Sequence, residues 1–317
     1  MSANLQNLIF TDETKAREWL EARVWPNGVV CRHCGNADAS RIASLKGKAS
    51  RPGVYQCAEC RQQFTVTVGT VFERSKIPLT KWLAALFLIV SSKKGMSAHQ
   101  VHRMLGVSYK STWFMMHRLR EAMRAGDLAP LGGGGATVEI DETIIGRVEG
   151  APKKGPALKG RSSFRNTVLT LVERGGSARS FHIDSASIAN MKPIIQANVA
   201  REAAIITDEL TAYREIGAAF KSHDTVNHSK DEYVRIEPEF VITTNTVEGF
   251  YSIFKRGMKG VYQHCGEKHL HRYLAEFDFR YSNRSALGVE DMERADKLAA
   301  GIVGKRLTYR RTNEASA

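Results

Sequence analysis

Four of the five cysteines fall into two Cys-x2-Cys pairs, Cys31/Cys34 and Cys57/Cys60, with 22 residues between the pairs. Each pair forms a tight knuckle that aims two thiolates at one point, and four thiolates satisfy tetrahedral Zn²⁺. The pattern therefore predicts one zinc ribbon over residues 29–68, with Gly35 after the first knuckle and a strand-like 63–68 after the second. Four thiolates leave no open position for a substrate, so this zinc is structural. His33 lies inside a knuckle, where a solvated side chain fits better than a fifth ligand. Cysteines paired at this spacing point to metal in a reducing compartment rather than to disulfides. A ribbon contacts DNA or another protein, and Arg32, Arg51 and Arg61 suit either.

The partner class follows from charge. Lys and Arg total 46 against 33 Asp and Glu in 317 residues, a formal net charge of +13. Such an excess calls for a polyanion, most simply nucleic acid. The longest apolar run, 82–90, is too short to cross a bilayer. No basic segment followed by an apolar one opens the chain, so the expected location is the cytoplasm, in association with the nucleoid.

Residues 11–22 read as a short helix capped by Thr11. An all-helical segment begins at 78. Within it, 97–119 has a short helix, a Leu-Gly-Val-Ser turn and a longer helix, the layout of a helix-turn-helix. Ser97 and Ser108 suit the two caps. Val101, Leu105, Val107, Thr112, Met116 and Leu119 suit the inner face. This leaves Lys110, Ser111, Phe114, His117, Arg118 and Arg120 for the outer face. Residues near the start of a recognition helix reach base edges and later cations reach phosphates. Lys110, Ser111, His117 and Arg118 are accordingly the candidate DNA contacts here, against the alternative of a plain helical hairpin with a solvated basic face.

Gly132–Gly135 reads as a flexible joint opening a second region. Residues 138–146 then alternate as a strand carrying Asp141 in its middle. A carboxylate on an apolar strand needs a cation or donor to compensate its burial. It is either a solvated acidic face or a metal ligand, and further carboxylates at strand ends or on a facing helix favour the second. Glu142 follows on the opposite face. The stretch 147–165 holds Lys153, Lys154, Lys159, Arg161 and Arg165 among Gly and Pro, a basic loop suited to a phosphate backbone or simply solvated. Strands are expected at 167–173, 179–183 and 204–207, the last running into Asp208. Helices are expected at 188–199 and after Thr211, so the order is β-β-β-α-β-α. Residues 231–240 read as a loop. A helix beginning near Thr244 or Asn245 carries Glu248 in its first turn and Lys255 two turns later on the same face, with Arg256 beside it. An acid followed by a basic stripe suits a metal next to phosphates, although an i, i+7 pair also arises by coincidence.

In combination these motifs resemble the ISXO-like insertion-sequence transposases, bacterial DDE-type enzymes with an N-terminal zinc ribbon. The carrying pieces are the two cysteine pairs, Gln63-Phe64-Thr65-Val66-Thr67 with Gly69-Thr70-Val71-Phe72, Asp141-Glu-Thr, Thr207-Asp208, Asn227-His228-Ser, and Thr244-Asn-Thr-Val-Glu248 continuing to Lys255-Arg256. The resemblance implies an α/β, RNase H-like catalytic core preceded by the ribbon and helix-turn-helix. It implies two catalytic Mg²⁺ or Mn²⁺ and DNA cleavage with strand transfer. The carboxylates fall at Asp141 and Asp208. The family's third position varies between Glu and Asn, and Glu248 is favoured over Asn245 because Lys255 follows it by seven residues. Two metals suit phosphoryl transfer, Asp141 bridging both and Asp208 and Glu248 holding one each. Lys255 and Arg256 would hold end phosphates; His228 would touch a phosphate, move a proton or simply pack. The expected organisation is residues 1–75 (helix and ribbon), 76–130 (helix-turn-helix), 131–285 (core) and 286–317 (C-terminal helix and tail). The expected partner is double-stranded DNA, at terminal inverted repeats and target, bound by a homo-oligomer of two or more chains. A non-catalytic DNA-binding regulator and an RNase H-like nuclease without strand transfer are the alternative functions.

Overall fold

The computed structural model describes residues 7–47, 50–124, 126, 128–150, 165–238 and 240–308. These form two compact units. The first takes the chain up to Arg124, apart from Lys93–Gly95, and resumes at Val289; the second takes Lys93–Gly95 and the stretch ending at Gly288.

In the first unit, helix α1 (Glu13–Val24) is capped by Asp12 rather than Thr11. One Asp12 carboxylate oxygen accepts from the N–H groups of Thr14 and Lys15 at 2.7 and 3.0 Å. The ribbon is a three-stranded antiparallel sheet of β1 (Ile42–Ser44), β2 (Tyr55–Cys57) and β3 (Gln63–Phe64). Trp25, Tyr55 and Phe64 pack ring against ring beside it. Helix α2 (Leu79–Ser91) buries every residue from Trp82 to Val90, as a helix apolar all round must.

Helices α3 (Ala98–Leu105) and α4 (Tyr109–Met123) make the helix-turn-helix. Gly106 ends α3 with φ 60°, the left-handed geometry that turns the chain into α4. Ser97 and Ser108 cap the two helices as expected. Lys110 and Ser111 are exposed at the start of α4. The outer-face assignment of His117, Arg118 and Arg120 is corrected: they are 1%, 8% and 3% exposed. Segments remote in sequence cover that side of α4. Arg118 donates through Nη2 to the Glu73 carbonyl at 2.8 Å and through Nε to the Leu307 carbonyl at 3.2 Å. Its guanidinium also lies over the rings of Trp82 and Phe114. His117 packs on Trp113 with ring centroids 4.2 Å apart.

The second unit is built on a five-stranded sheet. Its strands are β4 (Thr137–Ile145), β5 (Asn166–Glu173), β6 (Ala178–Ile183), β7 (Ala204–Thr207) and β8 (Ser222–Thr225). The spatial order is β6-β5-β4-β7-β8. The first three strands run as an antiparallel meander, and β7 and β8 run parallel to β4. This is the RNase H-like arrangement. Helices α5 (Ile188–Asn198) and α6 (Ala212–Gly217) cover one face, where Met191, Ile195 and Tyr213 meet Val138, Ile140 and Leu171. A hairpin of β9 (Val234–Ile236) and β10 (Val241–Thr243) occupies the stretch expected to be a loop. It leads into α7 (Asn245–Gly257), which with α8 (Leu270–Ser282) covers the other face. The glycine run is an ordered turn: the Gly132 N–H donates to Glu173 Oε2 at 2.7 Å, and a Cβ on Gly132 would lie 2.4 Å from that of Ala203. The last helix, α9 (Asp291–Ala300), belongs to the first unit, where Arg294 donates to the Val90 carbonyl at 2.9 Å.

The burial of Arg118 separates stability from recognition on α4. Arg118→Ala should lower folding stability by about 1–3 kcal/mol, because two part-buried carbonyls lose their donor, and thermal melting reads this directly. Lys110→Ala should leave melting unchanged and lower the salt slope of DNA binding by about one unit if it meets a phosphate. A stably folded Arg118→Ala protein with weakened DNA binding would contradict the assignment.

Candidate active site

The four cysteines converge as the spacing requires. Their sulfurs all lie within 4.8 Å of one another, with Cys31–Cys60 at 3.6 Å and Cys34–Cys57 at 3.7 Å. Tetrahedral zinc at the usual Zn–S distance places its sulfurs about 3.8 Å apart, so the cluster fits that ion. The Cys60 backbone N–H is the main cause holding the Cys57 thiol down to about 6, while burial and the neighbouring cysteines push Cys34 up to about 12, so without a metal the crowded thiols lose their protons unequally. His33 turns away, its Nε2 3.2 Å from the Gln63 carbonyl.

The second constellation lies in the sheet unit. Strand alternation puts Glu139, Asp141 and Thr143 on the α7 side of β4 and Val138, Ile140 and Glu142 on the α5 side. Glu142 accordingly accepts from the Tyr213 hydroxyl at 2.6 Å, opposite Asp141. The parallel register pairs Glu139 with Ile206, so Asp141 and Asp208 follow two residues further along neighbouring strands. Burial, then repulsion from Glu142, Asp208 and Glu248, pushes the Asp141 carboxyl up to about 7. Burial also raises Asp208, and Glu209 raises it further. Buried carboxylates that repel one another are the donor set a hard divalent cation prefers.

Helix α7 brings the third acid. Glu248 Oε1 accepts from the Thr244 hydroxyl at 2.8 Å and lies 3.7 Å from His228 Nε2. His228 sits on a short turn held by Glu209, whose carboxylate accepts from the N–H groups of His228 and Ser229 at 3.0 and 3.1 Å. Asn245, exposed like Glu248, opens the helix with its N–H on Thr243 Oγ1 at 3.2 Å. Tyr251, one turn after Glu248, donates to the Asp141 carbonyl at 2.6 Å, and the Lys255 ammonium lies over its ring at 5.7 Å. Glu248, Tyr251 and Lys255 thus form one row along α7 facing β4. Arg256 and Arg165 are exposed. Lys153, Lys154, Lys159 and Arg161 lie outside the described residues.

Sequence reasoning missed Glu209, Tyr251 and Glu139. For Glu209 the only signal is its adjacency to Asp208. For Tyr251 it is the i+3 spacing from Glu248. For Glu139 it is strand parity with Asp141, since the two share a face.

Comparison with known families follows this geometry. Residues 130–282 match the ISXO2-like transposase domain, and residues 11–63 match a transposase zinc-ribbon domain. Together the two matches span well over half of the chain. The chain belongs to the ISXO2-like transposase family. It is similar to an uncharacterised protein in transposable element ISH50 of Halobacterium salinarum, 28% identical over 284 residues, covering 86% of this chain and 91% of that one. Among solved structures, the Mos1 strand transfer complex aligns at 11% identity with TM-score 0.28, over 68% of this chain and 73% of the Mos1 chain. A pre-cleavage Mos1 transpososome aligns at 12% identity with TM-score 0.22, over 65% and 78%. Among the described residues no helix is long and apolar enough to cross a membrane.

Two outcomes follow for this transposase. Purified protein should carry one zinc per chain, and Cys57→Ser should lose it with unfolding confined to the ribbon; stoichiometric zinc in that variant, by metal analysis, would refute the site. The second concerns pH. A carboxyl held near 7 in the fold against an ordinary 3.8 keeps a proton that the unfolded chain releases. Stability from this group therefore falls as pH rises from about 4 to about 7. In buffer free of divalent cations, Asp141→Asn should gain melting temperature over the wild type at pH 8 more than at pH 5. An equal difference at both values would contradict the buried-acid account.

Proposed function

We propose that this transposase binds the ends of its insertion sequence, cuts there and joins the freed 3′-OH to target DNA. What supports this reading is that Asp208, just past the end of the parallel neighbouring strand, and Glu248, on the facing helix, both act electrostatically on the buried Asp141 carboxyl, with Lys255 on the same row of α7 as Glu248. Those three carboxylates would hold two Mg²⁺ or Mn²⁺, which supply charge neutralisation and activation of the attacking and leaving oxygens when bound. The rest falls to the chain's own side chains. Lys255 and Arg256 hold phosphates of the transposon end. His228 Nε2, facing Glu248, is placed to move a proton or bind a phosphate oxygen. Tyr251 fixes the strand backbone at Asp141 so that the carboxylate keeps its direction. Water attacks the end phosphodiester, forming one P–O bond as the bond to the 3′ oxygen breaks. The 3′-OH then attacks a target phosphodiester by the same exchange.

Recognition falls to the first unit, with Lys110 and Ser111 at the exposed start of α4, assisted by the ribbon. Arg165 and the basic stretch containing Lys153, Lys154, Lys159 and Arg161 add phosphate contacts. Joining two ends calls for at least two chains on the DNA. The four-part organisation, 1–75, 76–130, 131–285 and 286–317, is the corresponding division of labour, with the last part serving the DNA-binding region.

A supercoiled donor plasmid carrying the element's ends, incubated with Mg²⁺ and a target plasmid, tests this reading. Insertion into the target is expected. Cutting alone would indicate a nuclease, and bound but uncut DNA a regulator. Asp141→Asn, Asp208→Asn and Glu248→Gln should each bind ends normally and lose cleavage by at least a hundredfold, about 2.7 kcal/mol of barrier. Asn245→Ala should keep cutting. An active Glu248→Gln enzyme with an inactive Asn245→Ala enzyme would move the third ligand to Asn245.

A further inference from the structure

We infer that Glu139 and Arg174 form a positioning clamp that sets where Glu248 stands relative to Asp141. The inference rests on the three-carboxylate reading above. Glu139 is 0% exposed, yet it is fully partnered. Its Oε2 accepts from the N–H groups of Thr246 and Val247 at 2.7 and 3.0 Å. Its Oε1 accepts from the Thr246 hydroxyl at 2.8 Å and from Arg174 Nε at 2.6 Å. The N–H groups of Thr246 and Val247 are orphan donors of the first turn of α7, so Glu139 acts as the cap of a helix to which it is not connected in sequence. Thr244, in the local cap position, spends its hydroxyl on Glu248 instead.

Arg174 completes the clamp from the other side. Its Nη1 and Nη2 donate to the carbonyls of Val241 and Thr243 at 2.6 and 2.8 Å, on the strand that feeds α7. One guanidinium thus ties the approach to the helix, and one carboxylate ties its first turn, both to the strand that carries Asp141. Glu139 and Asp141 are two residues apart on the same face, about 7 Å along the strand. Glu248 comes directly after the clamped Val247. The separation of Asp141 and Glu248 is therefore set by a short chain of hydrogen bonds with few free torsions. A cap serving only helix stability would not need a charge at the centre of the sheet; a serine at 244 would suffice.

The test measures metal affinity on the full chain in two ways. Mn²⁺ binding is read by the electron paramagnetic resonance of free Mn²⁺, and the Mg²⁺ needed for half-maximal cleavage is read on end DNA. Glu139→Gln keeps the size but sets an amide N–H against the helix donors. Thr246→Ala removes one clamp bond and leaves no charge unpaired. Glu139→Gln should weaken Mn²⁺ binding and raise the Mg²⁺ requirement at least tenfold, and Thr246→Ala about threefold. End binding should be unchanged, and cleavage should recover at saturating metal, a split that loss of a purely structural cap would not give. Should Glu139→Gln not fold, Thr246→Ala decides. Wild-type metal affinity in the folded clamp variants, beside weakened affinity in Glu248→Gln, would overturn the clamp alone. Unchanged affinity in Glu248→Gln would overturn the site, and the clamp with it.

Discussion

A carboxylate buried at the centre of a sheet is costly unless it is paired and hydrogen-bonded. Glu139 meets both conditions, and it meets them with groups from two separate parts of the chain: Arg174 after β5, and Thr246 and Val247 at the start of α7. The observed docking of α7 satisfies that charge. A hydrophobic contact of similar size would hold the helix against the sheet but allow it to slide, since apolar burial is non-directional. The row of Val247, Phe250, Tyr251 and Phe254 supplies that adhesive contribution. Glu139 supplies the register, and the register decides that Glu248 faces β4 at the level of Asp141.

The acidic cluster and the basic surface are two halves of one electrostatic design. The chain carries +13 overall, and its cations favour approach of a polyanion. At the point where a phosphate would react, the sign reverses. Asp208 and Glu248 both repel the Asp141 carboxylate, and the three would repel DNA as well. Divalent cations, if bound there, would reconcile the two by neutralising the carboxylates and leaving the site attractive to phosphate. The zinc ribbon takes no part in this chemistry, because four thiolates close the coordination of its metal.

How much of this was legible in the sequence depended on whether the signal was local. The ribbon was, because four thiolates at two short spacings admit few other arrangements. Asp141 and Asp208 were, because each interrupts or ends an apolar strand where an acid is out of place. Strand β8 was not: Ser222–Thr225 is short and polar, and pairs only as the outermost strand of the sheet. The β9–β10 hairpin was hidden by its acidic residues. Arg118 misled for a different reason. Helical periodicity describes one helix against one surface, whereas α4 is covered on its second side by residues 73 and 307, far away in the chain. Glu139 was missed for a related reason, since alternation marks its face but cannot reveal that a helix begun a hundred residues later ends its N–H groups there.

Asp141, Asp208 and Glu248 would form one metal-binding site whose geometry the β4–α7 contact determines. Anomalous diffraction from crystals of the protein with Mn²⁺ and end DNA locates the ions. Mn²⁺ peaks are expected in contact with the carboxylates of Asp141, Asp208 and Glu248, with Glu139 still bound to the N–H groups of Thr246 and Val247. Mn²⁺ held instead by Glu142 on the opposite face of β4, or by Asn245 with Glu248 turned away on Thr244, would contradict that site.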